Sequence, residues 1–267
     1  MPDSLLFCAD KGGYALFAEE RRQAILQTLR AKGRVQVSEL AQRFKVADET
    51  IRRDLKWLEE NSQAVRTHGG AVCRQAGLLP PLAQRVITSN AAKEAIGRAA
   101  AKLVNEGESI FIDSGSTGLE LARQLRNRSD LHVVTNSLLI AGELAAGRVV
   151  VHMPGGSLHA TEMCLIGPDA VEGISGYRAT RAFICCAGVN VAQGVAVFNP
   201  FEAEVKKAML ANAAERIVIA DNSKLGNSAL FAVAKLDSID RLITDSQANP
   251  EVISQLRKAG WQVDLAQ

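Results

Sequence analysis

The sequence predicts an N-terminal winged helix-turn-helix followed by a larger α/β domain with a mainly parallel sheet. Three observations predict this. Helical spacings recur through residues 18–60 and give way to a short β-like pair. From about residue 91, apolar strand-like runs alternate with amphipathic helical stretches, the order that builds parallel sheets. Small polar residues follow several of those runs, where sheets of this class place their ligands.

The first helix is expected over 18–32, with Ile25, Leu26 and Leu29 as its apolar stripe and Gly33 as its stop. Val35-Gln36-Val37 alternates like a short strand. Ser38 is placed to cap a second helix, whose inward residues are Leu40, Ala41 and Phe44. After the break Lys45-Val46-Ala47, a third helix is expected over Asp48–Glu60. There Ile51, Leu55 and Leu58 share one buried stripe, so Glu49, Arg53 and Lys56 face away from the core, with Arg52 on the flank. Outward arginines on the second helix of such a pair suit the major groove, because the guanidinium fork matches the N7 and O6 acceptors of guanine. A solvated charged face on an ordinary helical bundle is the competing reading. Val65 to Val72 then forms two β-like pieces around Gly69-Gly70, a hairpin that makes a wing and carries Arg66 and His68 toward phosphates; His68 as a plain turn residue is the alternative.

Composition limits the alternatives. The chain has 267 residues, 47% hydrophobic and 22% charged, which describes globular domains and not a disordered polymer. Residues 1–75 hold 13 Lys+Arg against 10 Asp+Glu, and the rest holds 18 against 19. That slight basic excess is compatible with nucleic-acid binding without establishing it. The five cysteines, Cys8, Cys73, Cys164, Cys185 and Cys186, have no framework spacing; Cys185 and Cys186 read as buried reduced thiols, and neither a metal site nor a cofactor is expected. No apolar run reaches the ~18–20 residues of a membrane span, and residues 1–17 read as a loose tail with no signal-peptide pattern, so a cytoplasmic location is expected.

A linker is expected over 75–90, around Gly77 and Pro80-Pro81, and a second domain over 91–267. Its helices are expected over 93–104, 119–125, 138–146, 202–214 and 250–259. Its strands are expected over 109–112, 131–134, 149–153, 182–187, 216–220, 241–244 and 261–265. Asp113-Ser114-Gly115-Ser116-Thr117-Gly118 follows the first strand and opens a helix, so its N–H groups and hydroxyls can surround an anion at the positive helix end. Thr135-Asn136-Ser137 follows the second strand, Pro154-Gly155-Gly156 the third, and Asp221-Asn222-Ser223-Lys224 a fifth. Four such loops in register favour a phosphate-and-hydroxyl pocket over four unrelated turns.

At this point the sequence resembles a known family. Val46-Ala47-Asp48-Glu49-Thr50-Ile51-Arg52-Arg53-Asp54-Leu55, followed by Arg66-Thr67-His68-Gly69-Gly70-Ala71, resembles the signature of the DeoR-type winged-helix repressors. Two departures stand out: Ala47 replaces the usual Ser, leaving Asp48 to cap one residue later, and Ser62 replaces a usual Gly, leaving Asn61 for the left-handed turn. The resemblance implies DNA contacts from Ser38, Glu49, Thr50, Arg52, Arg53, Lys56, Arg66 and His68. It extends to the second domain through Asp113–Thr117, Thr135–Ser137, Gly155-Gly156, Asn199, Glu202, Lys206 with Met209, and Asp221–Lys224. It implies a sensor domain similar in fold to ribose-5-phosphate isomerase, with a phosphorylated sugar as effector. Ser114, Gly115, Ser116 and Thr117 would then hold phosphate, while Asp113, Glu202, Lys206 and Lys224 would hold hydroxyls or phosphate oxygens. Thr135, Asn136, Ser137, Gly155, Gly156, Asn190 and Asn199 complete the implied site. Asn190 stands where many members carry an acidic residue, which bears on sugar preference.

The leading expectation is therefore a repressor of a carbohydrate-utilisation operon. It would act as a homodimer or homotetramer on double-stranded operator DNA, with neither catalysis nor membrane attachment. One alternative is a sugar-phosphate isomerase fused to a DNA-binding domain, with Asp113, Glu202 and Lys206 abstracting a proton α to a carbonyl. Another is a protein-recruiting module with a vestigial pocket.

Overall fold

Helical and strand periods that agree with burial account for most of the architecture. The computed structural model describes residues 17–32, 34–60, 63–67, 69–73, 82–87 and 91–267. The chain divides into two units, residues 1–78 and 79–267.

The first unit runs α1 (Ala18–Lys32), β1 (Arg34–Gln36), α2 (Val37–Phe44), α3 (Asp48–Glu60), β2 (Ala64–Thr67) and β3 (Gly70–Cys73). Ile25, Leu29, Leu40, Ile51, Leu55 and Leu58 meet in one apolar core, which is why the three helices form together. Lys45 makes the turn between α2 and α3 in the left-handed conformation, φ 53°. The antiparallel sheet has the order β1-β3-β2. Gly70 is obligatory there, since a Cβ on it would stand 2.0 Å from the Val35 carbonyl oxygen.

Four local expectations are corrected. Strand β1 ends at Gln36, paired with Gly70; the Val37 N–H still donates to the Gly69 carbonyl at 2.9 Å, but Val37 already opens the next helix. The second helix accordingly starts at Val37, with Gln36 at the capping position, and Ser38 is an exposed first-turn residue and not the cap. Asp48 is already helical, and the Ala47 carbonyl accepts from Thr50 N at 2.9 Å. Gly70 lies in strand β3 opposite Thr67 and not in the turn. The leader 1–16, Gly33, Asn61, Ser62, His68, Gly77 and Pro80-Pro81 lie outside the described residues.

An ion cluster fixes this unit. Asp54 is buried on α3 and bonds both Arg21 (2.5 Å) and Arg22 (3.0 Å) of α1. The Arg22 guanidinium also lies 4.6 Å from the centre of the Trp57 ring.

The second unit begins with α4 (Leu82–Ile87), inside the stretch the sequence marks as linker. There follow α5 (Ala91–Ala101), β4 (Ser109–Ile112), α6 (Ser116–Leu125), β5 (His132–Val134), α7 (Leu138–Ala145) and β6 (Val150–His152). Next come β7 (Ser157–His159), β8 (Cys164–Ile166), α8 (Pro168–Ser175), β9 (Ala179–Ile184), β10 (Gly188–Asn190), β11 (Gly194–Val197) and α9 (Pro200–Ala211). The chain closes with β12 (Ala213–Ile219), β13 (Phe231–Ala234), β14 (Arg241–Asp245), α10 (Pro250–Lys258) and β15 (Gln262–Ala266).

The main sheet has seven strands in the order β15-β14-β12-β9-β4-β5-β6, and every pair in it is parallel. These are the seven strands expected from the sequence, so all their carboxyl ends lie on one edge. Alternate residues face opposite layers: Ile110, Ile112, Phe183 and Ile217 pack with α5–α7, while Phe111, Ala182, Ile184 and Val218 pack with α8–α10. Two smaller antiparallel sheets, β7-β8 and β10-β11-β13, stand apart from the main one. Within this unit Leu82 of α4 is buried, its N–H donates to the Thr161 carbonyl, and Arg85 ion-pairs with Glu162.

Asp54→Ala should strand two arginines and cost the first unit about 3 kcal/mol or more. Thermal unfolding should show that unit melting early while the second unit melts as in the parent; a loss below ~1 kcal/mol contradicts the assignment.

Candidate functional site

On α3, the outward face is as the apolar spacing requires: Glu49, Arg52, Arg53 and Lys56 are exposed and Thr50 is half-buried. Their mutual pairing is loose, with Arg53 4.0 Å from Glu49 and Lys56 3.8 Å from Glu60. Exposed pairs at such distances contribute little, so the cations are free to turn to another anion. Arg66 on β2 is exposed; its N–H donates to Glu59 at 3.0 Å, and its guanidinium stands 3.9 Å from the same carboxylate. Ser38 is exposed at the start of α2.

In the second unit, the carboxyl edge of the sheet buries polar groups. Asp113, directly after β4, is fully buried. Its Oδ2 accepts from Lys206 Nζ and, at 3.0 Å, from the Cys185 N–H. Burial pushes the Asp113 carboxyl above its usual range against the pull of Lys206. Burial alone would lower Lys206, but Asp113 and Glu202 hold it above its ordinary value, so it stays a cation. Asp113 Oδ1 and Asn136 Oδ1 are buried without a hydrogen-bond partner among the described residues. Orphaned acceptors of this kind ask for donors from outside the chain.

Helix α6 begins beside them. Gly115 occupies its capping position with φ 153° and, having no side chain, supplies no cap to the first N–H groups. A Cβ on Gly115 would meet Cys185 Sγ at 2.6 Å, so the tight approach needs glycine. Ser114, Ser116 and Thr117 are buried around this positive helix end.

Other sequence candidates have structural partners. Thr135 Oγ1 accepts from Ser137 N at 3.1 Å, and Ser137 caps α7 through Ile140 N. Asn136 donates to the Leu165 carbonyl at 3.1 Å. Asn199 caps α9, accepting from Phe201 N and Glu202 N, and thereby sets Glu202 in the first turn. Burial raises the Glu202 pKa, and its Oε1 lies 3.0 Å from His159 Nδ1. Lys224 is half-buried at the end of the turn that Asp221 caps.

Two parts of the expected site have other work. Asn190 spends its amide on Asn227 O (2.9 Å), Ser228 Oγ (3.0 Å) and Gln193 N (2.8 Å), tying β10 to the loop after Lys224. Gly155 and Gly156 are exposed, and a Cβ on Gly156 would meet Ile166 O at 2.7 Å and Ala170 at 2.9 Å, so that loop is shaped by packing on α8.

Sequence reasoning missed Lys93, on α5. Burial lowers its pKa, opposed by Asp221, and Lys224 and Arg85 lower it further, which places three cations in one neighbourhood. No loop motif marks it, because it sits in the first turn of a helix some twenty residues before the first strand's loop. His159 and Cys164 were also unmarked as a pair. Cys164, Cys185 and Cys186 are free and buried, and burial pushes each thiol up to about 12.

Two open clefts, about 420 Å³ beside Thr28 and Arg43 and about 470 Å³ beside Ser246 and Arg257, contain no buried polar group. The convergence of buried polar groups therefore picks out the sheet edge. No described helix is long and apolar enough to cross a membrane.

Comparison with known proteins matches both units. A model of the DeoR-like helix-turn-helix domain matches residues 21–76, and a model of the DeoR C terminal sensor domain matches residues 88–246. The HTH-type transcriptional regulator YulB of Bacillus subtilis, uncharacterized, is 35% identical over 90% of this chain and 94% of its own. A putative aga operon transcriptional repressor of Escherichia coli O157:H7 is 33% identical over 92% and 93%. The solved ribose 5-phosphate isomerase A of Methanocaldococcus jannaschii aligns with 50% of this chain and 53% of its own, at 20% identity and TM-score 0.38.

Lys206→Met should leave Asp113 buried and unpaired, costing the second unit about 3–5 kcal/mol near neutral pH. With its carboxyl raised above 3.8 by burial, Asp113 is tolerated best when protonated. The deficit should be smallest near pH 4 and grow as pH rises through the raised value. Urea unfolding across that range checks it; a pH-independent deficit contradicts it.

Proposed function

The chain belongs to the DeoR family of HTH-type transcriptional regulators, and from that premise we propose that it represses a carbohydrate-utilisation operon under control of a phosphorylated sugar. The observation that carries the effector assignment is the pair of orphaned acceptors, Asp113 Oδ1 and Asn136 Oδ1, beside an uncapped helix end and a buried lysine. Acceptors suit the O–H donors of a sugar. The N–H groups of Ser116 and Thr117 at the start of α6, with their hydroxyls, suit a phosphate. Lys224 and Lys93 add positive charge to the anion side. The relative named as a putative operon repressor supports the repressor assignment.

The site is proposed to bind without turnover. Lys206 is held as a cation, and Asp113 is engaged by that cation and by a backbone N–H, so neither stands free as a general base. On the DNA side, Arg52, Arg53 and Lys56 of α3 enter the major groove, and Arg66 meets the backbone. Two copies in a homodimer or homotetramer in the cytoplasm would present paired helices to an inverted repeat. The effector's hold on DNA binding is limited by its difference in affinity for the two states.

Two substitutions test the halves separately. Arg53→Ala removes an exposed side chain, so folding should be unchanged; operator affinity should fall by about 1–3 kcal/mol with relaxed preference at one base position. Equal losses on operator and random DNA, measured by fluorescence anisotropy, would leave a phosphate contact only. Ser116→Asp puts a carboxylate at the anion site, so the variant should bind operator and ignore the sugar phosphate. The unphosphorylated sugar should be a poor effector of the parent. An unchanged response in Ser116→Asp, or equal potency of the free sugar, contradicts the phosphate assignment.

A further inference from the structure

Hairpin β7–β8 ends on the cross-strand pair His159–Cys164, which puts both side chains on one face. The first turn of α9 brings Glu202 against them. The donor atoms of His159, Cys164 and Glu202 all lie within 4.8 Å of one another. His159 Nδ1 stands 3.0 Å from Glu202 Oε1. Ligands bonded at ~2.0–2.3 Å to a tetrahedral ion stand ~3.3–3.8 Å apart, so rotamer adjustments alone close the cluster around an ion.

The scaffold around these donors is fixed by bonds on every side. Ser137 bridges to Cys164, Leu165 N donates to Asn136 O at 2.8 Å, and Leu138 N donates to Met163 O at 2.9 Å. Ser114 opposes the rise that burial imposes on the Cys164 thiol. Leu82 N and Arg85 hold the hairpin tip at Thr161 and Glu162. The Asn199 cap sets Glu202. Metal ligands gain most from such outer support, which removes the ordering cost of assembly.

We propose that His159, Cys164 and Glu202 form a binding site for a borderline-soft divalent cation of the Zn²⁺ class. A thiol and an imidazole are poor ligands for Mg²⁺ or Ca²⁺, which take oxygen donors. One carboxylate and one thiolate balance the ion's two charges. Three protein ligands leave a fourth position for water, as in open zinc sites. On binding, the Cys164 S–H bond breaks, sulfur bonds the metal and the proton leaves to solvent. Coordination through His159 Nδ1 uses the neutral tautomer with its proton on Nε2, and Glu202 changes from hydrogen-bond acceptor to ligand. The site goes beyond the effector reading and does not require it, although Glu202 is shared. It also revises the expectation of a metal-free chain, which considered Cys185-Cys186 and not a cysteine paired across a hairpin with His159.

The test uses the full chain, reduced and stripped of metal, titrated with Co²⁺ as the coloured probe. Expected are a thiolate-to-cobalt charge-transfer band and tetrahedral d–d bands, saturating near one equivalent and displaced by Zn²⁺. Cys164→Ser should abolish the charge-transfer band, and His159→Gln should weaken binding at least ~10-fold, while Cys185→Ser keeps both signals. Circular dichroism melting of each variant confirms folding. Absence of a thiolate band in the folded parent, or its persistence in Cys164→Ser, overturns the site. Octahedral bands overturn it as well, and neither result touches the effector assignment, which Ser116→Asp tests at a different residue.

Discussion

The second unit is organised around a buried charge pair, Asp113 with Lys206. Removing two charges from water costs several kcal/mol per ion before their attraction offsets it, and apolar residues would fill the space at least as stably. The pair nonetheless sits near the middle of the sheet, since Asp113 directly follows β4, the neighbour of the central strand β9, and Lys206 lies on α9. One Asp113 oxygen serves this pair and the Cys185 N–H, while the other is left without a partner. A group buried at such cost, with half its capacity unspent, is better explained by a ligand than by stability.

The rest of the site follows from where the sheet's alternation stops. Along each strand, successive residues enter one of two apolar layers. Beyond the strand ends that rule lapses, and polar groups are buried with their hydrogen bonds arranged locally. Asp245, the last residue of β14, accepts from Asn222 N (2.6 Å) and Nδ2 (2.9 Å), so it braces the turn that carries Lys224. Thr135 and Ser137 brace the start of α7. The same economy operates in the first unit, where buried Asp54 holds α1 to α3 and leaves the exposed face of α3 free of structural duty.

The seven parallel strands were legible because a strand buried on both faces reads as an uninterrupted apolar run. The α3 face was legible because Ile51, Leu55 and Leu58 fix the helix phase, and the opposite face follows from geometry. Short antiparallel pieces such as β7, β8 and β10 escaped, since three residues carry too little period to distinguish strand from turn. Helix α4 escaped because it is only Leu82–Ile87 and its order comes from tertiary contacts with Thr161 and Glu162. The cap was misplaced by two residues, Ser38 for Gln36, because strand β1 gives way to helix at Val37, a fact of pairing absent from local composition. Asp113, named from the loop after β4, meets Lys206, 93 positions away. Lys93 depends on that same long-range folding, whereas His159 and Cys164 face each other across a hairpin whose strands are too short to read as such.

The central claim is that buried acceptors and an open helix end together recognise a phosphorylated sugar. A thermal-shift panel of sugar phosphates beside their unphosphorylated parents tests it most directly. At 100 times its dissociation constant a true effector adds about 2.7 kcal/mol of stability, a readily measured rise in melting temperature. The account predicts that at least one sugar phosphate raises the melting of the second unit while its free sugar at equal concentration leaves it unmoved. A shift from the free sugar as large as that from the phosphate, or none from any phosphorylated sugar, would contradict it.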